Sequence, residues 1–238
     1  PFNKRHGGGI TLTNLFKGWP ADRIALISTG HLMHSLSTDV CVTYYQLGND
    51  EFKWHFPFNL FQKRFSSGPV NLNKQKQFFK RPSKSGLRHI LVKKYFYPIL
   101  EWIGLYHNAS KLRLSNSFKK WLNDYDPQIL YLIVSTRESV LFAQDLNAYL
   151  KIPSVIHMMD DWPSIISRRG PFKQYWHKKI DSELRQLLLN TTLCFSISNA
   201  MSIEYKNRYE REFIPFHNPI DVDFWESSRK SDYSIKSD

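Results

Sequence analysis

The middle of the chain carries a continuous apolar run with polar flanks, Asp126-Pro127-Gln128-Ile129-Leu130-Tyr131-Leu132-Ile133-Val134-Ser135-Thr136-Arg137-Glu138. A run of this length without alternation predicts a strand that is buried on both faces, which is typical of a parallel sheet. Ser135 and Glu138 have the spacing of a capping box, so we expect a helix to begin directly after the strand.

The same alternation of strand and helix continues to the end of the regular part of the chain. We expect strands at 153–158 and 192–197, a helix at 176–189, a helix from the cap Ser198 to about Tyr209, and a short strand at 213–216. Strands that alternate with amphipathic helices predict an α/β domain with a Rossmann-like, doubly wound parallel sheet.

The first half of the chain is less regular. It predicts a helix at 10–19 after a glycine turn, strands at 22–28 and 40–46, and helices at 87–106 and 112–122. A basic, aromatic insertion spans about 50–110. We therefore expect one domain over residues 1–222, followed by the start of a polar linker at 223–238.

Composition limits the classes of protein that fit. The 238 residues include only two cysteines, Cys41 and Cys194, both in apolar runs, so a disulfide scaffold and a cysteine-based zinc site are excluded. The net charge of +12 favours anionic partners such as phosphorylated substrates, acidic lipid or nucleic acid. No apolar run reaches the ~20 residues of a transmembrane helix, and we expect no signal peptide.

Ligands of open α/β sheets bind beyond the carboxyl ends of the strands. Four loops there carry candidate residues, namely Gly7-Gly8-Gly9 before a helix, Arg137, the Asp160-Asp161-Trp162 segment behind His157, and Ser198. Each has a structural alternative: a flexible turn for the glycines, surface exposure for Arg137, a core position for His157, and helix capping for Asp161 and Ser198.

Four segments carry a resemblance to a known family. The first is the Gly7-Gly8-Gly9 loop with its helix and the second is the segment from Ile152 to Pro163; the remaining pieces are a third segment from Cys194 to Met201 and, completing the resemblance, a further one from Phe213 to Asp221 that Phe224 follows. Their order and spacing resemble the N-terminal half of retaining GT-B glycosyltransferases of family 4. The resemblance covers most of the chain outside roughly 50–120.

The resemblance implies a Rossmann-like acceptor-binding domain that faces a second, nucleotide-sugar-binding domain. It also implies that the first strand, ahead of Pro1, and the donor domain lie outside this sequence, so that the fragment alone is inactive. Many relatives carry His-Asp where this chain has Met159-Asp160. Either His157, two residues earlier, or Asp160 would take the role of that histidine. No metal or cofactor is implied, because the nucleotide-sugar is a substrate.

The expected function is therefore sugar transfer to a glycan or lipid-linked acceptor, by a bacterial enzyme of cell-envelope polysaccharide synthesis, at the cytoplasmic face of the membrane. The basic insertion suits an anionic membrane surface. The alternative is a non-enzymatic nucleic-acid-binding domain, which the acidic pair Asp160-Asp161 disfavours because carboxylates repel phosphates. An epimerase or dehydrogenase is disfavoured, since the chain lacks the G-x-G-x-x-G fingerprint.

Overall fold

A computed structural model describes residues 2–3, 7–30, 36–62, 64–71, 94–95, 97–166 and 169–217, together with 222 and 226. The basic part of the insertion at 72–93, the Asn218-Pro219-Ile220-Asp221 segment and nearly all of the proposed linker lie outside the described residues.

The described residues form seven α-helices and nine strands. The helices are α1 (Gly7–Leu15), α2 (Tyr97–Ile103), α3 (Asn116–Tyr125), α4 (Arg137–Leu150), α5 (Trp162–Ile165), α6 (Lys173–Leu189) and α7 (Asn199–Tyr209). The strands are β1 (Ala25–Thr29), β2 (Thr43–Leu47), β3 (Phe52–Trp54), β4 (Gly68–Pro69), β5 (Ser110–Leu112), β6 (Leu130–Leu132), β7 (Ser154–Met158), β8 (Leu193–Ser196) and β9 (Ile214–Pro215). Short 3₁₀ turns lie at Ala21–Arg23, Phe58–Phe61 and Leu105–Asn108.

The C-terminal half forms one parallel sheet in the order β6-β7-β8-β9. Helix α4 connects β6 to β7, α6 leads to β8, and α7 connects β8 to β9. This confirms the predicted α/β class, and it is compatible with a Rossmann-like arrangement. In the N-terminal half β1 and β2 pair in parallel and β4 joins β2 antiparallel, while β3 and β5 form a separate antiparallel pair.

One face of the parallel sheet carries the main core. Ile156 and Met158 of β7 pack there with Ile180 and Leu184 of α6, and all four side chains are buried. The apolar positions of α6 recur at the three- and four-residue spacing of a helix face, which is why this helix covers the sheet. Cys194 belongs to the same core, so its predicted role as a small core residue is confirmed.

The opposite face of the sheet differs from the expectation for β6. Ile129 and Ile133, on the strand's flanks, are 58% and 39% exposed, although the apolar run predicts burial on both faces. On this face Phe16, just beyond α1, contacts Tyr131 of β6 with 5.2 Å between ring centroids. The described residues therefore cover this side of β6 only in part.

A buried carboxylate joins β2 to the start of α3. Glu51 is fully buried and accepts hydrogen bonds from the Tyr45 hydroxyl at 3.1 Å, the Gly48 amide at 3.1 Å and the Ser115 hydroxyl at 2.5 Å. Ser115 is also the N-cap of α3 and accepts from the Phe118 amide. Burying a polar group costs free energy unless it is hydrogen-bonded, and both side-chain oxygens of Glu51 have hydrogen-bond partners.

Two predicted helices of the first half are wrong in their bounds. The expected helix at 112–122 begins only after the Ser115 cap, because 110–112 pair with β3 as strand β5. Of the expected helix at 87–106, the described part contains α2, which ends before Gly104, and then a 3₁₀ turn. Gly104 has a φ of 80°, a left-handed conformation that breaks an α-helix.

No helix among the described residues is long and apolar enough to cross a lipid bilayer.

We expect Leu184→Ala to lower the free energy of unfolding by about 2–5 kcal/mol, because it leaves a cavity in the main core. Leu189→Ala on the same helix is the matched control, since Leu189 is 74% exposed, and it should change stability by about 0.5 kcal/mol or less. Urea denaturation followed by circular dichroism measures both. Equal losses for the two variants would contradict this placement of the core.

Candidate functional site

The carboxyl ends of β6, β7 and β8 meet at one edge of the parallel sheet. Three loops follow them there, at 133–136, 159–161 and 197–198, and each leads into a helix. This edge is where parallel α/β sheets bind their ligands. The structure thus brings the residues that follow Val134, Met158 and Ser196 to a common rim.

The two adjacent acids at the end of β7 have different environments. Asp160 is exposed and makes no hydrogen bond or ion pair with the described part of the chain. Asp161 accepts hydrogen bonds from the Tyr205 hydroxyl at 2.8 Å and from Nη1 of Arg208 at 3.0 Å. Asp160 is therefore available to a ligand, whereas Asp161 is occupied by α7.

The expected capping role of Asp161 is only partly found. The residue stands at the N-cap position of α5, but its side chain makes no capping hydrogen bond. Its partners on α7 are instead a tyrosine and an arginine that Glu204 also binds. Burial opposes ionisation of Asp161, but hydrogen bonds from Ser164, Tyr205 and Arg208 outweigh it and keep the carboxyl pKa below its usual value.

Trp162 follows Asp161 and points into the protein. Its side chain is buried in the main core, beside the first turn of α5. The sequence nominates Trp162 as a substrate contact, but in the structure it anchors the loop that presents the two acids.

His157 lies behind the rim, in the interior. It is fully buried, and its Nδ1 is 2.5 Å from the Tyr131 hydroxyl. Burial lowers the pKa of His157, and a main-chain hydrogen bond to Phe216 opposes that effect. The aromatic rings of Phe195 and Phe216 complete its surroundings, at 6.1 Å and 5.7 Å. His157 is thus a neutral, hydrogen-bonded interior histidine, the structural alternative that the sequence left open.

The guanidinium group of Arg137 is bound by a side chain of α6. Its guanidinium makes two hydrogen bonds of 2.7 Å to the carboxylate of Glu183 and one of 3.1 Å to the carbonyl of His107. It also lies over the ring of Trp176, 5.4 Å from the centroid. This bidentate, largely buried ion pair joins the start of α4 to α6, so Arg137 is not a free anion-binding group.

The capping box is found one residue later than the sequence predicts. Thr136 is the N-cap of α4, and its hydroxyl oxygen accepts a hydrogen bond from the Ser139 amide. The Ser139 hydroxyl oxygen in turn accepts a hydrogen bond from the Thr136 amide. Ser135 and Glu138 do not form the box. A serine at the third helical position can complete a capping box, because its hydroxyl oxygen accepts a hydrogen bond from the main-chain amide of the cap residue.

Glu138 is a candidate that the sequence missed. Its carboxylate accepts a hydrogen bond from the Ser110 hydroxyl and, together with Tyr106 and His107, lines a cavity of about 2220 Å³ that also borders β1 and β6. Burial raises the pKa of Glu138, and the hydrogen bond from Ser110 opposes this rise. A carboxyl group with a raised pKa in a cleft is typical of functional sites. The spacing of Glu138 from Ser135 is that of a capping box, and this local pattern gave no sign that the Glu138 side chain lines a cavity.

Gly7, Gly8 and Gly9 form the first turn of α1 rather than a loop ahead of it. A Cβ atom at Gly7 or Gly8 would meet nothing within 4 Å, so these positions are open. Ser198 is confirmed as a helix cap, since its hydroxyl accepts from the Met201 amide. Helices α4 and α7 begin just after strand ends, and α1 begins with three glycines. The free main-chain amides at these three helix N-termini could face an anion.

Among the described residues, no group of three or more His, Cys, Asp or Glu side chains is arranged to hold a metal ion. Comparisons of the chain with family models, curated proteins and solved structures give no match. The chemistry of the rim must therefore be inferred from its own residues.

We expect stability to fall as the pH drops below about 6.5, the usual pKa of histidine. The folded protein disfavours protonation of His157, so the unfolded chain binds more protons there and is favoured at low pH. His107, whose pKa is lowered by burial and then by Arg137, contributes with the same sign. His157→Gln should remove part of the slope, measured as unfolding free energy between about pH 5 and 8.

The control is His177→Gln, since His177 is exposed on the same helix as Glu183. It should leave the pH dependence unchanged. An unchanged slope in His157→Gln would show that His157 is protonated as easily in the folded as in the unfolded chain.

Proposed function

We propose that this chain is the acceptor-side domain of a retaining, nucleotide-sugar-dependent glycosyltransferase of the GT-B type. The observation that carries the proposal is the exposed carboxylate of Asp160 at the carboxyl end of β7, which has no partner among the described residues, beside an Asp161 that α7 holds in place. The resemblance in the sequence gives the reaction class. The donor would be held by a second domain of the same type.

Asp160 is the residue we assign to the reaction. A carboxylate next to the transferring sugar stabilises the positive charge that develops on it as the bond to the diphosphate breaks. It can also accept a hydrogen bond from the acceptor hydroxyl and orient it towards the anomeric carbon. The proton of that hydroxyl passes to the leaving phosphate, so the chain itself need not supply a strong base.

His157 has a positioning role in this scheme. It is interior, and its hydrogen bond to Tyr131 fixes the end of β7 relative to β6. Glu138 is an acidic group that lines the cavity, and burial raises its pKa. In its protonated form this carboxyl group would donate a hydrogen bond, which suits recognition of an acceptor oxygen.

We infer that exposed aromatic residues of α2 and of the segment before α6 meet the membrane that carries a lipid-linked acceptor. Trp102 of α2 and Phe172 before α6 are 57% and 54% exposed, and Tyr175 and Ile99 are similarly open. Gly170 packs directly on the Trp102 main chain, so the segment that leads to Phe172 lies against α2. Tryptophan and phenylalanine seat in the lipid interface, and the exposed Lys173 and Lys178 add attraction to anionic lipid.

In the complete natural gene product, Asp160→Asn should lower kcat at least about 100-fold, or ~2.7 kcal/mol, with little change in KM. The reason is that the lost charge acts mainly in the transition state. Asp161→Asn should lower kcat less, because Asp161 acts through the loop. The measurement is transfer of labelled sugar from a panel of nucleotide-sugars to lipid-linked acceptors.

Asp145→Asn is the matched control, since Asp145 is exposed on α4, and it should keep the wild-type rate. If Asp160→Asn keeps kcat within about threefold, ~0.65 kcal/mol, Asp160 is peripheral to the reaction. Absence of transfer from every nucleotide-sugar by the wild-type product would contradict the proposed function itself.

We expect the chain to sediment with vesicles that contain anionic lipid more than with neutral vesicles, and less as salt rises. The double variant Trp102→Ser, Phe172→Ser should weaken vesicle binding about tenfold, because two interfacial rings are lost. Leu189→Ser removes an exposed apolar residue elsewhere and should have no effect. Equal binding to both vesicle types, or tight binding to single-stranded RNA instead, would favour the nucleic-acid alternative.

A further inference from the structure

Four aromatic side chains of the insertion form a continuous row, the aromatic wall, along the cavity of about 2220 Å³: Trp54, Tyr97, Tyr106 and His107. The centroids of successive rings lie 6.2, 6.5 and 6.3 Å apart. Rings at such distances are in direct contact, so the wall is one surface and not four separate side chains. Tyr106 is 44% exposed, so part of its ring is accessible to a ligand.

The aromatic wall is attached to the rim of the parallel sheet at two points. Trp54 of β3 lies opposite Ser110 of β5, and the Ser110 hydroxyl donates a hydrogen bond to Glu138 at the start of α4. The carbonyl of His107 accepts a hydrogen bond of 3.1 Å from Arg137. Because Arg137 and Glu138 follow the carboxyl end of β6, the wall stands beside the edge at which parallel sheets bind ligands.

The charged residues that line the cavity are mainly acidic, although the net charge of the protein is +12. Among the described residues they are the acids Asp22, Glu101, Asp126 and Glu138 and the arginines Arg23 and Arg137. Arg137 is already paired with Glu183. Carboxylates repel phosphates and sulfates. Nucleobases also stack on aromatic rings, but each nucleotide would bring a phosphate to this acidic lining, so the cavity favours an uncharged ligand.

We propose that the aromatic wall binds an uncharged oligosaccharide, which is the sugar portion of the acceptor. A pyranose ring has an apolar face of C–H groups that stacks on the negative face of an aromatic ring. Its hydroxyl groups donate hydrogen bonds to carboxylate oxygens. The wall supplies the rings, and Glu101 and Glu138, which both lie near Tyr106, supply the oxygens.

The size of the cavity fits a chain of sugars better than a single one. Usual small-molecule pockets measure about 300–1,000 Å³, and this cavity is more than twice as large. The inference rests on the proposed function only where it identifies the oligosaccharide as the acceptor. The row of rings and the acidic lining are features of the fold, and binding to them does not require a reaction.

The test measures binding without transfer. The complete natural gene product is labelled with a fluorophore and applied, without nucleotide-sugar, to an array of neutral and acidic oligosaccharides. Isothermal titration calorimetry then gives the Kd of each glycan that binds. We expect neutral oligosaccharides to bind in preference to acidic ones, and their disaccharide fragments to bind at least about tenfold more weakly, because fewer sugar rings stack on the wall.

Three variants assign the binding to the aromatic wall. Tyr106→Leu keeps apolar volume but removes the aromatic face, so it should weaken binding at least about tenfold. Tyr106→Phe keeps the ring and should bind within about threefold of the wild type. Tyr175→Ala is the matched control, because Tyr175 is 57% exposed and does not line the cavity, and it should leave the Kd unchanged.

Glu101→Gln tests the acidic lining on an exposed residue of α2, where the change does not disturb the core. It should improve the binding of acidic relative to neutral oligosaccharides about threefold or more, because one repelling charge is removed. An unchanged ratio of the two Kd values would show that the carboxylate of Glu101 does not face the ligand and would count against the proposal.

Three results would overturn the proposal: no glycan bound, acidic glycans or single-stranded RNA bound in preference to neutral glycans, or equal binding by Tyr106→Leu and the wild type. Sugar transfer to a lipid-linked acceptor by a protein that binds no oligosaccharide would overturn this inference and leave the proposed function standing. Oligosaccharide binding without transfer from any nucleotide-sugar would contradict the proposed function and leave the binding site standing.

Discussion

A parallel strand needs a hydrogen-bonding strand on each edge and an apolar layer on each face, because its main chain is buried and no water reaches it. Strands β7 and β8 of this chain have a hydrogen-bonded strand on each edge and the main core on one face. Strands β1 and β6 meet only part of these requirements. The difference between the tightly packed half and the open cavity follows from this one requirement.

The pattern of apolar residues predicted the elements of the second half well, because period and length are local properties. Strand β7 and helix α6 were expected within three residues of their observed bounds. The same pattern could not show which face of β6 would be covered, since Ile129 and Ile133 depend on distant residues. In the first half, β5 is a three-residue strand fixed by pairing with β3, and nothing within 110–112 distinguishes it from a helix.

The candidate site shows the same limit at the level of single side chains. The sequence placed Asp160, Asp161 and Ser198 at strand ends, and the structure brings these strand ends together at one edge. The sequence could not show that Arg137 binds Glu183, 46 residues away, or that Glu138 binds Ser110 rather than capping its own helix. Long-range ion pairs and hydrogen bonds of this kind have no periodic signature, so only the folded structure shows which charged side chains already have a partner.

The ion pairs beside the strand ends determine where a ligand can bind. Asp161 and Arg137, the charged residues that flank the β7 and β6 ends, are neutralised by partners on α7 and α6. Opposite charges that lie in contact largely cancel each other's field at a distance. The rim therefore presents the exposed Asp160 side chain on a loop fixed by buried Trp162, while Glu138, whose pKa burial raises, lies on the cavity side. The exposed carboxyl group of Asp160 and the buried carboxyl group of Glu138, whose pKa is raised, form a surface that suits hydroxyl groups better than phosphates.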